Sequence, residues 1–352
     1  MTRIAAVRTA LPPHRHRQAE LTGAMAAISA VEPAQRTLLE RLHANSGVDT
    51  LHTVLPLAAY RGLDGLGSTN DLYIEHATAL ADRALRSALQ AAGLAAGDLD
   101  LLIVTSVTGV AVPSLDARLI PRLGLRPDIK RLPIFGLGCV AGAAGLARLH
   151  DYLRGWPQHA AALVAVELCS LTVPAASPTT GDLVVSGLFG DGAVALVATG
   201  DRVVPAPDGP RVVASRSEVY PDTGEVLAWR LGAGGFRIVL TAELADVVAR
   251  HLSSSVSAFL AAHGLAARDI TSWVCHPGGP RVIAAVQQSL GLPASALEVP
   301  RRSLAEVGNM SSASVLHVLQ ETIRAGRPAP GSAGLLIGLG PGVSVEMILL
   351  RW

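Results

Sequence analysis

The sequence contains a long internal echo, and a duplicated half limits the fold more than any other feature. Residues 93–106 read GLAAGDLDLLIVTS and residues 264–276 read GLAARDITSWVCH, with Asp98 and Asp269 in the same place. An amphipathic helix pattern precedes each copy. Leu80, Ala84, Leu85 and Leu89 form the apolar stripe of the first, and Leu244, Val247, Val248, Leu252 and Val256 that of the second. A short apolar strand follows each, LLIVTS and SWVCH. The echo continues in FGLGCVAGAAGLARLHDYL (135–153) and EVGNMSSASVLHVLQETI (306–323), each a glycine turn before a helix of small residues, so that Cys139 and Asn309 become counterparts. Each half closes on a strand, a glycine-rich turn and another strand, VVSGLFGDGAVALVATG and AGLLIGLGPGVSVEMILL. A Pro/Gly-rich connector, ATGDRVVPAPDGPRVV, divides the chain into halves of residues 1–205 and 206–352. Strands alternating with helices predict an α/β fold, and two similar halves pack most simply with their core helices back to back. Function is then expected where the halves meet.

Composition excludes several classes of protein. Half of the 352 residues are hydrophobic and only 3% are aromatic, which fits Ala-rich helices on Val/Leu-rich strands. A formal net charge of +1 gives no basic excess for nucleic acid. The three cysteines, Cys139, Cys169 and Cys275, form no CxxC pair, so neither a disulfide framework nor a metal site is expected. The N-terminal stretch MTRIAAVRTALPPHRHR is interrupted by Arg8 and two prolines and makes a poor signal peptide. No run approaches the ~20 apolar residues of a membrane span. The expectation is a soluble, cytoplasmic protein.

Three residues sit where the repeat puts chemistry. Cys139 is expected to open a helix, where free N–H groups and the helix dipole favour thiolate. His276 ends the strand SWVCH and enters a PGGP turn, and Cys275 beside it is expected to face the opposite, core side. Asn309 precedes a helix in GNMSSAS. Taken singly, each has a plain structural use: a small core cysteine, a surface histidine, a helix cap. The duplication groups them, because a pseudo-two-fold brings equivalent helix starts together. Cysteine, histidine and asparagine suit one reaction type. A thiolate attacks a thioester while an imidazolium keeps it ionised, and histidine and asparagine donate hydrogen bonds to the enolate formed when a malonyl group loses carbon dioxide.

At these residues the chain resembles the thiolase-fold condensing enzymes, and more narrowly the type III polyketide synthases of the chalcone synthase kind. GCVAGAAG, HPGGP, GNMSSAS and GLGPG (338–342) carry the resemblance, which runs over most of the chain. It implies a homodimer of αβαβα subunits, no cofactor beyond CoA thioester substrates, and Cys139 as the acyl carrier, with His276 and Asn309 in decarboxylation and condensation. Phe189 and Phe236 match two gatekeepers between a CoA tunnel and the cavity. Val112 matches a loop reaching into the partner subunit's cavity, Thr108, Cys169, Thr172 and Ser311 match cavity-lining positions, and Gly340 and Pro341 match a scaffold loop. Of the basic residues that contact CoA phosphates in plant members, Arg41 survives, with Leu38 and Asn45 at neighbouring positions. The stretch around the cysteine looks most like bacterial alkylresorcinol and alkylpyrone synthases. That implies a medium- or long-chain fatty acyl starter, from CoA or an acyl carrier protein, extended with malonyl-CoA or methylmalonyl-CoA. The alternatives are an initiating ketoacyl-ACP synthase that stops after one condensation, and a type III synthase building a small aromatic from malonyl-CoA alone. A papain-like hydrolase shares the chain order Cys–His–Asn but places an aromatic after the nucleophile, where this chain has Val140. A non-catalytic acyl-binding relative is disfavoured by the intact trio.

Overall fold

The computed structural model describes all residues except 1, 30–31, 64, 173–177, 206–207, 233–234, 242 and 327. The first half runs β1 (Thr2–Ala10), β2 (His14–Arg17), α1 (Gln18–Ile28), α2 (Pro33–Ala44), β3 (Thr50–Thr53), α3 (Gly65–Ala92), β4 (Leu99–Thr105), α4 (Leu115–Leu123), β5 (Lys130–Ile134), α5 (Ala141–Gly155), β6 (Ala160–Leu168), α6 (Thr180–Leu188) and β7 (Asp191–Gly200). The second runs β8 (Arg211–Val219), β9 (Leu227–Gly232), β10 (Gly235–Leu240), α7 (Leu244–Ala261), β11 (Ile270–Cys275), α8 (Pro280–Ser289), α9 (Glu298–Val307), α10 (Ser312–Arg324), β12 (Ala333–Gly340) and β13 (Ser344–Arg351).

The duplication is visible in the strand order. In the first half β4, β6, β7 and β1 are neighbours, paired parallel, antiparallel and antiparallel. In the second, β11, β12, β13 and β8 repeat that order and those directions. The repeat alone suggests two separate half-sheets, but they are joined. β1 and β8 pair at Thr2–Val212 and Arg3–Arg211, making one nine-stranded order.

Side-chain alternation builds five layers from these strands. On β6, Ala161, Leu163 and Ala165 face a central cluster with Leu146 and Leu149 of α5 and Leu316 and Leu319 of α10. Ala160, Ala162, Val164 and Val166 face the opposite way, onto Ala81, Ala84, Leu85 and Ala88 of α3. On the second half-sheet Leu336 faces the centre, while Leu335, Ile337 and Leu339 face Val248 and Leu252 of α7 and Val286 of α8. Each fully buried leucine contributes on the order of 2 kcal/mol. The central helices meet closely because of Gly142: a methyl group there would lie 2.1 Å from the Ser312 carbonyl oxygen. This crossing sets the starts of α5 and α10 side by side. Among the described residues no helix is long and apolar enough to cross a membrane.

Candidate active site

Cys139 lies in a 3-10 turn, Gly138–Val140, that leads into α5, one step ahead of the helix start expected for it. The turn depends on left-handed glycines, Gly136 at φ +94° and Gly138 at φ +58°. The loop after β12 presses on it from outside. A methyl group on Gly138 would lie 2.6 Å from Pro341 Cδ, and one on Gly340 would lie 2.6 Å from the Val140 amide nitrogen. Gly340 and Pro341 thus brace the cysteine turn directly.

Asn309 is not a helix cap. It precedes the cap residue of α10, Ser311, and bridges to Phe189 through backbone bonds. Its N–H donates to the Leu188 carbonyl at 2.8 Å, and its carbonyl accepts from Gly190 N–H at 3.0 Å. Its side-chain Oδ1 accepts from Ser311 N–H (2.8 Å) and Ser314 Oγ (3.3 Å), so the amide NH₂ is the end left to donate. Ser311 links this turn to the first half, its Oγ 3.3 Å from Cys139 Sγ. His276 follows β11, and its N–H donates to Ile337 of β12. Its Nδ1 is buried without a hydrogen-bond partner, and its Cδ2–Nε2 edge lies beside Gly278, where a methyl group would stand 3.4 and 3.6 Å from those atoms. The geometry therefore joins the cysteine and asparagine turns through Ser311, while His276 is tied by its backbone to β12, whose end braces the cysteine turn.

A cleft of about 820 Å³ lies between α2, α6, α7 and the PGGP turn that follows His276. Leu188, next in chain to Phe189, and Gly278, two residues after His276, line it together with Gly279, Arg41, Asn45 and Arg281. Both arginines are exposed. Asn45 Nδ2 donates to the Arg41 carbonyl and finishes α2. α8 starts at Pro280, so the PGGP turn both ends the histidine strand and shapes the cleft.

The remaining predicted positions fall into four groups. Phe189 and Phe236 are both buried, Phe189 at the end of α6 and Phe236 on β10 between Phe135 (6.1 Å between ring centres) and Trp229 (6.4 Å). Cys169, Thr172 and Thr108 cluster at the end of β6. Thr172 Oγ1 donates to the Cys169 carbonyl, Thr108 Oγ1 donates to Glu167, and Cys169 belongs to the same buried cluster as Cys139. Cys275 is buried in the outer apolar cluster. Val112 stands apart, 89% exposed.

Burial opposes the ready thiolate expected from a helix start. Loss of water pushes the Cys139 thiol up to about 12, against the small opposing effect of Ser311, and holds His276 down to about 4. The desolvated pocket favours neutral thiol and neutral imidazole.

Sequence reasoning missed Glu167, Arg281 and Ser312. Glu167 is fully buried at the end of β6. Its Oε2 accepts from Ser106 Oγ, Val107 N–H and Thr108 Oγ1, and its Oε1 accepts from Ser312 Oγ at 2.5 Å, tying the first half to α10. Burial raises its pKa. An acid inside the apolar run AAALVAVEL was the available signal. Arg281 directly follows HPGGP and was equally open to notice.

A duplicated α/β subunit with a buried cysteine at the meeting of its halves defines a condensing enzyme. The chain belongs to the chalcone and stilbene synthases, whose N-terminal domain it matches over residues 1–202 and whose C-terminal domain over 211–352. It is therefore a type III polyketide synthase, an acyltransferase of the condensing kind that uses CoA thioesters. It is 53% identical to a 1,3,6,8-tetrahydroxynaphthalene synthase of Streptomyces peucetius subsp. caesius, over 100% of this chain and 93% of that one. It is 30% identical to the alpha-pyrone synthesis polyketide synthase-like Pks18 of Mycobacterium tuberculosis, over 91% and 83%. Among solved structures, the 1,3,6,8-tetrahydroxynaphthalene synthase of Streptomyces coelicolor A3(2) superposes with a TM-score of 0.93 at 31% identity, covering 99% of both chains.

Proposed function

We propose that this synthase primes itself with malonyl-CoA and builds a fused-ring polyhydroxylated aromatic of the tetrahydroxynaphthalene type. The observation that carries the reading is the 53% identity, over the whole chain, to a relative named for that product. The relative named for an α-pyrone is far more distant at 30%. We therefore favour this reading over the alkylresorcinol or alkylpyrone product expected from the motifs.

Cys139 takes the acyl group. His276 accepts the thiol proton as Sγ attacks the thioester carbonyl and passes it to the departing CoA sulfur, leaving an acyl thioester on the protein. A second malonyl-CoA then loses carbon dioxide. The enolate oxygen accepts hydrogen bonds from His276 and from the Asn309 NH₂, whose direction Ser311 and Ser314 fix. The enolate carbon attacks the Cys139 thioester and the sulfur leaves. The ten carbons of a naphthalene skeleton correspond to five malonyl groups, each losing one carbon dioxide. Arg41 and Arg281 meet the CoA phosphates along the cleft, Phe189 and Phe236 separate cleft from cavity, and the enzyme works as a homodimer with Val112 entering the partner subunit's cavity.

The test is incubation of the purified protein with malonyl-CoA alone, and with a ladder of fatty acyl-CoA starters, followed by mass spectrometry. A naphthalene-type product from malonyl-CoA alone is expected. A strict requirement for a fatty acyl starter, from CoA or from an acyl carrier protein, overturns the priming assignment and restores the alkylpyrone reading.

A further inference from the structure

We infer that His43 is a positioning residue for CoA recognition. Its imidazole ties α2, the wall of the cleft that carries Arg41 and ends at Asn45, to α6, the wall that is joined to the Asn309 turn. The inference rests on the polyketide synthase reading, in which the cleft takes the CoA arm of the substrate.

Three observations carry it. The first is the choice of residue. α2 buries only two side chains, Leu39 and His43. An apolar residue would fill the second place more cheaply, because a buried imidazole needs partners for both nitrogens. The second is where those partners lie. Nδ1 is 2.9 Å from Thr22 Oγ1 of α1, and Nε2 is 3.2 Å from the Leu183 carbonyl and 3.1 Å from Ser186 Oγ, both on α6. Burial holds the ring down to about 4, so it is neutral and carries one N–H. With the hydrogen on Nε2 it donates to Leu183 and accepts from Thr22. With the hydrogen on Nδ1 it donates to Thr22 and accepts from Ser186. Either way it bonds both neighbouring helices. Gln18 reinforces the tie, its Nε2 donating to the Gly187 carbonyl at 2.7 Å and to Ser46 Oγ at 2.9 Å. The ring also packs on Gly187, where a methyl group would lie 2.4 Å from its Cδ2. The third is what the two helices present. Arg41, Asn45 and Ser46 line the cleft on one side, Val184 and Leu188 on the other. The end of α6 is held to the asparagine turn, since the Asn309 N–H donates to the Leu188 carbonyl and the Gly190 N–H donates to the Asn309 carbonyl. α2 has no such bond to that turn and packs on α1 and α6.

The consequence follows from the length of the substrate. A CoA thioester is held at both ends, by its phosphates and by its reacting carbonyl. The span between those grips depends on how α2 sits against α6. Arg41 and Asn45 each stand two residues from His43, so a shift at the ring moves both. Without the tie the phosphate end loses its register. That binding is the same in the ground and transition states, so its loss raises KM and leaves kcat in place. A thioester that lacks the nucleotide does not feel the tie.

The test compares carbon dioxide release from malonyl-CoA with release from the malonyl thioester of N-acetylcysteamine, which keeps the reacting end and lacks the nucleotide. His43→Leu is expected to raise KM for malonyl-CoA about tenfold, with kcat within about twofold and both constants for the truncated thioester unchanged. His43→Gln, whose amide N–H takes the place of the ring N–H, should recover most of the lost KM. Gln18→Leu, which removes the parallel bonds, should raise the same KM by a smaller factor. A folded His43→Leu protein with an unchanged KM for malonyl-CoA overturns the assignment. So does an equal loss on both thioesters, which marks a role in packing alone. If His43→Leu does not fold, the same two outcomes are decisive in Gln18→Leu. An unaltered enzyme that binds both thioesters equally, or releases carbon dioxide from neither, refutes the underlying reading instead.

Discussion

The cysteine turn and the asparagine turn occupy equivalent places in the two halves, yet they reach their backbone shapes by different means. The first uses glycine at both of its left-handed positions, Gly136 and Gly138. The second uses Gly308 at φ +69° and then a serine, Ser311, at φ +48° and ψ −123°. A non-glycine residue there costs on the order of 1–3 kcal/mol. The difference teaches where a side chain is worth strain. On the cysteine side Pro341 fills the space a side chain would need. On the asparagine side the serine hydroxyl reaches the cysteine sulfur, and its N–H orients Asn309.

The largest effect comes from the residue the first turn presents. Cys139→Ala is expected to lower chain extension by at least about 10³-fold with the melting temperature kept, as read by radiolabelled malonyl-CoA incorporation. Extension near the normal rate in that variant removes the covalent role. Gly138→Ala tests the turn itself. Its methyl group would collide with Pro341 at a left-handed backbone, so a loss of about 2–3 kcal/mol in urea unfolding is expected, with activity falling alongside. A neutral result breaks the contrast between the turns.

Much of this contrast was legible in the residues. The paired motifs GLAAGDLDLLIVTS and GLAARDITSWVCH became β4 and β11, each the parallel neighbour of a twin strand. Glycines beside Cys139 and Asn309 announced turns. Other features were hidden because they belong to tertiary contact. Glu167 reads as an ordinary strand residue until distant elements close around it. The protonation of Cys139 was misjudged because a helix start is visible in sequence whereas burial is not. The join between β1 and β8 left no pattern at all.

Removing the imidazole separates the two influences on the sulfur. In His276→Ala, Cys139 keeps the burial that raises it and the Ser311 hydrogen bond that opposes it but loses the proposed base, so iodoacetamide labelling is expected to fall at least tenfold at neutral pH. It should then climb about tenfold per pH unit from about pH 7 to 10. The unaltered enzyme, with His276 as the proposed base, should show a flatter profile. Identical profiles mean that His276 does not serve Cys139. The twin central helices offer a related comparison, since each carries a buried histidine held down to about 4, His150 on α5 and His317 on α10. The unfolded chain binds these protons near 6.5 and the folded chain only near 4. Unfolding therefore takes up protons in that window, and stability falls as the pH drops through it. His317, whose Nδ1 lies 2.8 Å from Ser303 Oγ, contributes a slope of up to about 1.4 kcal/mol per pH unit. His317→Gln should remove about one proton from the pH dependence of urea unfolding, and an unchanged slope contradicts the assignment.

The smallest effect concerns the strained serine. Ser311→Gly relieves the left-handed strain but adds freedom to the unfolded chain, which offsets about 1 kcal/mol of the gain. A net stabilisation of about 1 kcal/mol is expected. The glycine keeps the N–H that orients Asn309, so decarboxylation should persist, while the lost hydroxyl removes the 3.3 Å contact to Cys139. The variant should therefore load Cys139 more slowly by a few-fold and decarboxylate malonyl-CoA at a near-normal rate. Destabilisation together with normal loading would show that the serine is kept for packing, and the two turns would then differ for reasons unrelated to the sulfur.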